Sequence, residues 1–185
     1  MCGFVLSNFK FNFKKNSNVI RHRGPDQTGN YKDNHINILF NRLSIIDLNK
    51  RSNQPFRYKN YILVFNGEIY NYLELKDELV KAGYKFKTKS DTEVLLFSFI
   101  HWKEKCLKKL EGMFAFCVYD ISRKTIFVAR DRFGIKPIFY YKDDNRFVVA
   151  SEKKSIFELG IEKEINVDAM SNFILRGVYQ NDKNT

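Results

Sequence analysis

Short apolar segments separated by turn residues dominate the second half of this chain, and they constrain its fold most. Four of them follow one another: GMFAFCVYD, TIFVARD, KPIFYYK and RFVVAS, with turn signals at DISRK and KDDN. Each segment has the length and the β-branched and aromatic content of a strand, so the pattern predicts strands connected by hairpins. Strands joined by tight turns run antiparallel, so antiparallel sheets are expected.

The first half of the chain supplies further strands and a group of helices. Strands are predicted for residues 2–9, for one or two segments of INILFNRLSIID from Ile36, and from Tyr61 up to Gly67. Helices are predicted over EIYNYLELKDELVKAG, from Ser90 onward, over EKKSIFELG and around VDAMSNFILRG. The first of these has an approximate apolar stripe of Ile69, Tyr72, Leu73, Leu79 and Val80, and Ser90 with Glu93 matches a capping box. Helices inserted in groups among many strands predict an α+β fold with antiparallel sheets rather than a doubly wound parallel sheet.

Composition limits the classes of protein that fit. A chain of 185 residues suits one sizeable core, and 44% hydrophobic residues favour a folded domain over disorder. The net charge of +11 raises nucleic acid as a partner. However, the basic residues are scattered over several predicted helix faces and loops, so a solvated Lys-rich surface is the favoured interpretation and nucleic acid is disfavoured.

Cysteine and histidine usage points to a cytoplasmic protein without a metal site. Cys2, Cys106 and Cys117 are too few and too irregularly spaced for a disulfide framework, and the last two are expected to be inert structural thiols. The three histidines have no metal-ligand spacing with each other or with the cysteines. No secretory signal is recognisable and no apolar run approaches 18 residues, so no membrane association is expected.

Cys2 directly follows the initiator methionine, and cysteine is small enough for that methionine to be removed. Removal would place a thiol and a free α-amino group on one residue. The amine has a reference pKa of about 7.7–8.0, so near neutral pH part of it could accept the thiol proton. Cys2 is therefore a candidate nucleophile that carries its own base. The alternative is that the second residue is small for no catalytic reason.

Four further residues are candidates for binding or catalysis. Asn66 and Gly67 lie at a predicted strand-to-helix junction, where an amide and a free N–H could form an oxyanion hole; the alternative is an ordinary Asn-Gly turn. Arg42 lies in a predicted strand with apolar neighbours and could bind a carboxylate with two hydrogen bonds, or face water at a strand edge. Asp91 could accept hydrogen bonds from an ammonium group, or act only in the first turn of its helix. The loops HRGPD and RDRFGIKP mix charges with Gly and Pro, as structured loops do.

Considered together and in order, these segments resemble the N-terminal glutaminase domain of glutamine-dependent asparagine synthetases, a class II glutamine amidotransferase with an N-terminal nucleophile. The resemblance rests on MCG, RHRGPD, RLSIIDL, QPF, VFNGEIYNYLEL, SDTEVLL, LEGMFAFCVYD, ARDRFGIKPIFY and ASEKKSIFEL, and it extends from Met1 to about Val178. It implies a four-layer αββα sandwich of two antiparallel sheets between helices. It also implies hydrolysis of L-glutamine to glutamate and ammonia.

The resemblance assigns roles to eight residues. Cys2 would be the nucleophile, with its own amine as base, and Asn66 with the Gly67 N–H would hold the oxyanion. Arg42 would bind the glutamine α-carboxylate, and Glu68 and Asp91 its α-ammonium group. Backbone carbonyls near Leu43 and Ile45 would line the pocket.

Three departures from the family pattern qualify this resemblance. The segment between Cys2 and HRGPD is short, so a helix there should be shortened or lost, and Asn41 stands where a histidine is common. The chain also contains no SGGxDS loop and no L-x-P-G segment, so residues 1–185 are expected to be an amidotransferase domain truncated at its C-terminal end. ATP and Mg²⁺ are expected only in a synthetase domain absent from this chain, with no cofactor in the chain itself.

Some alternatives remain open at this stage. The ammonia could serve to amidate aspartate, a sugar or another carboxylate. The chain could also be a non-catalytic member used as a binding module. A homodimer is left open as well.

Overall fold

In the computed structural model, which describes residues 1–177, two antiparallel sheets stack face to face. The strands are β1 (Gly3–Ser7), β2 (Gln27–Lys32), β3 (Asn37–Arg42), β4 (Phe56–Tyr58), β5 (Tyr61–Ile69), β6 (Gly112–Asp120), β7 (Thr125–Arg130), β8 (Phe139–Lys142) and β9 (Phe147–Ala150). The first sheet has the order β2–β3–β1–β9–β8 and the second has the order β4–β5–β6–β7. All their pairings are antiparallel, as the turn pattern predicted.

Helices cover the outer faces of both sheets. They are α1 (Phe13–Val19), α2 (Tyr72–Lys81), α3 (Asp91–Trp102), α4 (Lys153–Glu158) and α5 (Val167–Arg176). The helices α2 and α3 share a hydrophobic cluster with β5 and β6 of the second sheet. The helices α1 and α4 contact β3 and β9 of the first sheet. The layer order is therefore helix, sheet, sheet, helix, and the predicted αββα sandwich is confirmed.

Strand periodicity explains why the two sheets stack. Along β1, Phe4 and Leu6 point between the sheets, whereas Val5 points to the outer helical layer. Along β5, Val64 joins the core between the sheets and Phe65 joins the core under α2 and α3. Successive side chains of a strand point to opposite faces, so strands apolar at every position are buried on both faces.

The sequence prediction was wrong about where β5 ends. Gly67 does not stop the strand, which continues to Ile69, and α2 begins only at Tyr72 rather than at Glu68. Gly67 is instead needed inside the sheet, because a Cβ there would lie 2.1 Å from the carbonyl oxygen of Met113 on the neighbouring strand. A glycine inside a strand often marks such a close backbone approach.

The apolar stripe of α2 was also only partly correct. Leu75 and Leu79 are the buried residues of this helix, whereas Leu73 and Val80 are more than half exposed. Ile69 is buried, but as a strand residue.

Other predicted boundaries agree more closely with the structure. INILFNRLSIID forms one strand, β3, followed by an irregular loop, and the predicted helices α4 and α5 are present. The segment before HRGPD keeps a helix of seven residues, α1. Ser90 caps α3 as predicted, but the Glu93 carboxylate accepts from Lys87 and Thr88 rather than completing a capping box. Val178, where the resemblance ends, lies outside the described residues. No helix within residues 1–177 is long and apolar enough to cross a membrane.

Candidate active site

A cleft at one end of the sandwich gathers the eight residues to which the resemblance assigned roles. It is lined by Cys2, Arg42, Leu43, Ile45, Asn66, Gly67, Glu68 and Asp91, which come from both sheets, from α3 and from the loop after β3. Sequence reasoning missed the other lining residues: Met1, Ile46, Gln54, Phe65, Ser90, Thr92 and Lys136. The motifs RDRFGIKP and QPF contain two of these, Lys136 and Gln54, but nothing local in sequence indicates that their side chains reach the cleft.

The Cys2 thiol is held against the end of β3. Its Sγ donates to the carbonyl of Leu43 at 3.6 Å and accepts from the Leu43 N–H at 3.4 Å. Burial raises the pKa of the thiol, while the Leu43 contact and the positive charges of the terminal amine and Arg42 oppose that shift. The resting thiol therefore needs a base before it can act as a nucleophile.

The backbone of Cys2 is fixed by a buried ion pair. Arg23 Nε donates to the Cys2 carbonyl at 2.9 Å, and its Nη1 donates to Glu152 Oε1 at 3.0 Å. Arg23 is only 8% exposed and lies directly beneath Gly3, where a Cβ would meet its Cδ at 3.0 Å. The start of the chain is therefore held firmly enough to aim the Cys2 side chain into the cleft.

Met1 lines the same cleft, so the terminal amine of this structure is the α-amine of Met1 and not that of Cys2. Burial lowers the pKa of this amine from its usual value, and the nearby charges of Arg23 and Lys136 act in the same direction. The Cys2 thiol and Asp26 act in the opposite direction. This lowered pKa is that of the Met1 amine, one residue before the Cys2 amine that would act as base once Met1 is removed.

Asn66 carries an amide nitrogen without a partner. The residue is 1% exposed, and its Nδ2 makes no hydrogen bond within the described chain. Its position on β5 has the same parity as Val64, so the side chain points between the sheets, towards the side where Cys2 packs. Buried polar groups are nearly always hydrogen-bonded, so an unpaired donor that lines a cleft calls for an explanation.

The backbone N–H of Gly67 points away from the neighbouring strand β6. Phe65 and Ile69 lie two residues before and two residues after Gly67 on β5. The Phe65 N–H donates to Gln54 Oε1 at 2.7 Å and the Ile69 N–H donates to Asp91 Oδ2 at 3.1 Å, so neither donates to β6. Phe114, which faces Gly67 in the register, uses its own N–H and carbonyl on Asp131. By the two-residue period of a strand, the Gly67 N–H is directed away from β6, towards the edge that Asp91 occupies.

Arg42 is buried rather than facing water. It is 5% exposed, and its Nη atoms donate to the carbonyls of Ile46, Asp47 and Asn49 and to Asn53 Oδ1, at 2.7–3.4 Å. These bonds fold the loop after β3 around the guanidinium. All four acceptors are neutral, and within residues 1–177 no carboxylate pairs with Arg42, so its charge remains uncompensated at the cleft.

Asp91 and Glu68 give the opposite wall of the cleft its negative charge. The Asp91 carboxylate accepts from the Ile69 N–H at 3.1 Å and from Ser90 Oγ at 3.4 Å. Burial, with a smaller contribution from the charge of Glu68, raises the pKa of Asp91 to about 6 against these hydrogen bonds. Asp91 therefore binds across to β5 instead of merely lying in the first turn of its helix.

The remaining thiols take no part in the site. Burial raises the pKa of Cys106 to about 12 and raises that of Cys117 as well, which fits inert structural cysteines. No group of three or more His, Cys, Asp or Glu in residues 1–177 is arranged to hold a metal ion.

The fold and this cleft define a class of protein. Two stacked antiparallel sheets between helical layers, with a cysteine directly before a central strand, form the N-terminal nucleophile hydrolase fold. The solved structure of glutamine phosphoribosylpyrophosphate amidotransferase from B. subtilis has this fold, with a TM-score of 0.70, 22% sequence identity and coverage of 86% of this chain and 44% of that one.

Sequence comparison identifies the family. The sequence model of the glutamine amidotransferase domain matches residues 1–185, so the chain belongs to that family. Asparagine synthetase (glutamine-hydrolysing) 1 of Bacillus subtilis is 41% identical over 94% of this chain and 29% of the relative. Asparagine synthetase (glutamine-hydrolysing) 3 of the same organism is 40% identical over 76% of this chain and 23% of the relative. The resemblance found in the sequence is confirmed, and the chain spans less than a third of the length of these relatives.

Proposed function

We propose that this domain hydrolyses L-glutamine to glutamate and ammonia, with Cys2 as the nucleophile, as the amidotransferase part of an asparagine synthetase-like protein. The observation that carries the proposal is the buried, unpartnered Nδ2 of Asn66 in the cleft that holds the Cys2 thiol. A donor held without a partner costs stability, and an oxyanion that forms only during reaction would satisfy it.

The charges of the cleft suit the α-carbon end of an amino acid. Arg42 offers a positive charge that no carboxylate neutralises, and it would attract the α-carboxylate of glutamine. Asp91 and Glu68 would bind the α-ammonium group, and the backbone of Leu43 and Ile45 would complete the wall. Glutamine held at that end would extend its side-chain amide towards Cys2.

In the first half of the reaction, Cys2 attacks the amide. With Met1 removed, the free amine of Cys2 takes the thiol proton, and the sulfur forms a bond to the amide carbon. The carbonyl electron pair moves to oxygen, where Asn66 Nδ2 and the Gly67 N–H would donate to it. The intermediate then collapses, the amine returns its proton to the leaving nitrogen, and ammonia departs from a γ-glutamyl thioester.

In the second half, water breaks the thioester. The amine removes a proton from the water as its oxygen attacks the thioester carbon, and the same two donors hold the second oxyanion. Collapse breaks the carbon–sulfur bond, the sulfur regains the proton, and glutamate is released. The chain then returns to its starting state, so no other co-reactant is required.

The fate of the ammonia belongs to the larger protein. We propose that it amidates aspartate in an ATP- and Mg²⁺-dependent synthetase domain in the same polypeptide, because the relatives named asparagine synthetase are about three to four times longer than the matched region. Another carboxylate acceptor remains the alternative. Homodimer formation and a cytoplasmic location stay predictions from the sequence.

Three proteins test the proposal: the wild type, Cys2→Ala, and a chain with one large residue inserted between Met1 and Cys2 so that Met1 is retained. Intact mass establishes which of them start at Cys2, and glutamate release measures hydrolysis. Hydrolysis is expected only in the wild type with Met1 removed. Activity in Cys2→Ala would refute Cys2 as nucleophile, and full activity with Met1 retained would refute the amine as base.

A further inference from the structure

The motif RLSIIDL contains an aspartate, Asp47, that the proposed reaction does not use. Asp47 lies in the loop between β3 and β4. Its side chain is only 6% exposed, whereas Ile45 and Leu48 on the same loop are 61% and 73% exposed. A loop that turns its carboxylate inward and its apolar side chains outward reverses the usual partition of residues, so the buried carboxylate needs an explanation.

The carboxylate of Asp47 holds the backbone directly before α3. Its Oδ2 accepts from the N–H of Lys89 at 2.8 Å, across 42 residues of sequence. Lys89 precedes Ser90, whose hydroxyl caps α3 by accepting from the Thr92 N–H at 3.1 Å. The contact therefore fixes the segment that carries Asp91 into the cleft, two residues before Asp91 itself.

The main chain of Asp47 holds Arg42. Arg42 Nη2 donates to the Asp47 carbonyl at 2.7 Å, the shortest of the four hydrogen bonds described above for this guanidinium. The Asp47 backbone has φ of +50°, a left-handed conformation that Asp and Asn tolerate better than most residues with a side chain. Its Oδ1 accepts from the Asn49 N–H at 3.2 Å, which stabilises this turn. The carbonyl and the carboxylate of Asp47 are thus directed to different partners.

Asp47 thereby joins the two charges that would recognise an amino acid. Arg42 ends β3 of the first sheet, whereas Asp91 begins α3, which covers the second sheet. The positive and negative walls of the cleft therefore belong to different layers, and Asp47 bonds to Arg42 and to the backbone just before Asp91. An α-carboxylate and an α-ammonium group are attached to one carbon atom, so their two partners must be held at a fixed separation.

The Asp47 carboxyl is ionised in this position. Burial raises its pKa, but hydrogen bonds from the N–H groups of Lys89 and Asn49 and the charge of Arg51 lower the pKa to about 2. Arg51 Nε lies 3.3 Å from Oδ2. At neutral pH both carboxylate oxygens are therefore acceptors, and an ionised acceptor makes a stronger hydrogen bond to a backbone N–H than a neutral one does.

We infer that Asp47 is a positioning residue that sets the separation between Arg42 and Asp91, and thereby makes the cleft selective for ligands that carry both an α-carboxylate and an α-ammonium group. The inference rests on the proposed function, because it takes Arg42 and Asp91 to be the two partners of the amino acid. Within residues 1–177, Asp47 is not one of the residues that line the cleft, so it acts through these two rather than touching the ligand.

The first test measures recognition without catalysis. L-Glutamate carries both α-groups, whereas glutarate lacks the α-ammonium group and needs Arg42 alone. Each is titrated as a protectant against alkylation of Cys2 by iodoacetamide, which peptide mass spectrometry follows. Asp47→Gly removes the carboxylate but accommodates the left-handed backbone. It should raise the half-protecting concentration of L-glutamate about ten- to hundredfold and that of glutarate less than about threefold.

Asp47→Asn is a second, milder variant. It keeps the left-handed turn, but its amide has one acceptor oxygen for the two N–H groups of Lys89 and Asn49. It should therefore raise the half-protecting concentration of L-glutamate about three- to tenfold, as the loss of one hydrogen bond does. This variant decides the role of Asp47 if Asp47→Gly exposes Cys106 and Cys117 to alkylation, which would show that the glycine variant does not fold.

Asp143→Gly is the matched control. Asp143 also accepts from two backbone N–H groups, those of Asn145 and Arg146, and from an arginine Nε. It lies in the turn between β8 and β9, at the end of the first sheet opposite Cys2. Its replacement should leave both half-protecting concentrations unchanged.

The second test uses the reaction. The kcat and KM for L-glutamine are measured by glutamate release from chains with Met1 removed. Asp47→Gly should raise KM about ten- to hundredfold and lower kcat less than about threefold, because contacts at the α-carbon end are made in the ground state and the transition state alike. Absent hydrolysis in the wild type would refute the proposed function, while the protection of Cys2 would still decide the role of Asp47.

Specific outcomes would overturn the inference. Equal losses of protection by L-glutamate and by glutarate would mean that Asp47 supports Arg42 alone. Unchanged protection in Asp47→Gly, or no protection of the wild type by L-glutamate, would mean that Asp47 sets no distance used in recognition. A fall in kcat with an unchanged KM would assign Asp47 to the reacting end of the cleft.

Discussion

Replacing Asn66 by leucine separates a catalytic donor from a structural one. Leucine has the same branching and the same number of side-chain heavy atoms as asparagine but lacks the amide. Its larger methyl groups would be placed in the cleft that Asn66 lines. In the structure, Asn66 Nδ2 is buried without a hydrogen-bond partner in residues 1–177. If the amide exists for an oxyanion, its loss should harm the reaction and spare the fold.

Asn66→Leu should lower kcat but raise the thermal stability of the domain. Loss of one oxyanion donor lowers kcat by about 10²–10³-fold, equivalent to about 2.7–4 kcal/mol of transition-state stabilisation. A buried unsatisfied donor costs about 1–3 kcal/mol, and removing it returns part of that free energy to the folded state. For a domain of this size, 1 kcal/mol corresponds to about 2–4 °C, so the unfolding midpoint of Asn66→Leu should rise by several degrees.

Asn41 offers the matched control for stability. It is fully buried on β3, but its amide is satisfied, accepting from Ser17 and Thr28 at 2.9 and 3.0 Å and donating to the Ser17 carbonyl at 2.8 Å. Asn41→Leu should therefore lower the unfolding midpoint, because it leaves buried partners unpaired.

The measurements are glutamate release by the chain with Met1 removed and thermal unfolding of each variant. A drop in the midpoint of Asn66→Leu like that of Asn41→Leu would refute the reasoning, since Asn66 would then be structural. A kcat that stays within tenfold of the wild type would refute it as well.

Three further predictions follow from the same site. Asp91→Asn should raise the free energy of unfolding by about 3 kcal/mol at pH 7.5 and leave it nearly unchanged near pH 4. The reason is that a folded-state pKa raised from 3.8 to about 6 makes the buried charge destabilising only as pH rises through that window. Urea unfolding at both pH values measures this, and equal effects at both would contradict it. Iodoacetamide at pH 8 should alkylate Cys2 in the folded protein and spare Cys106 and Cys117, whose pKa values burial raises, and peptide mass spectrometry would expose any other pattern. Gly67→Ala should lower the free energy of unfolding by about 1–3 kcal/mol, because its Cβ would lie 2.1 Å from a backbone carbonyl oxygen. Denaturant unfolding measures this, and an unchanged free energy of unfolding would mean that β5 and β6 separate easily at that point.

Much of the fold could be predicted because its elements are specified locally. Hairpin turns, strand-length apolar runs and the Ser90 cap all act within a few residues of sequence. The arrangement of the strands in the two sheets could not be predicted, because it depends on pairing between residues far apart in sequence. The β8–β9 hairpin joins the first sheet because β9 pairs with β1, more than 140 residues away, and no local signal states this.

The candidate site was predictable to the extent that its chemistry lies in motifs. Cys2 and Asn66 could be identified by residue type and position, but the direction of the Gly67 N–H required the hydrogen bonds of its neighbours in β5. Gly67 was expected to end the strand because glycine commonly does so, and a close backbone approach keeps it within the sheet instead. Lys136 escaped prediction because its position depends on a loop folded around the buried Asp131.

The central claim is that Cys2 forms a covalent acyl intermediate with glutamine while its own free amine acts as base. The direct measurement is peptide mass spectrometry after rapid acid quench of the chain with Met1 removed and isotopically labelled glutamine. The account predicts a γ-glutamyl adduct on the N-terminal Cys2 peptide, released by hydroxylamine and absent from Cys2→Ala. Turnover of glutamine with no adduct at Cys2, or an adduct that persists in Cys2→Ala, would contradict it.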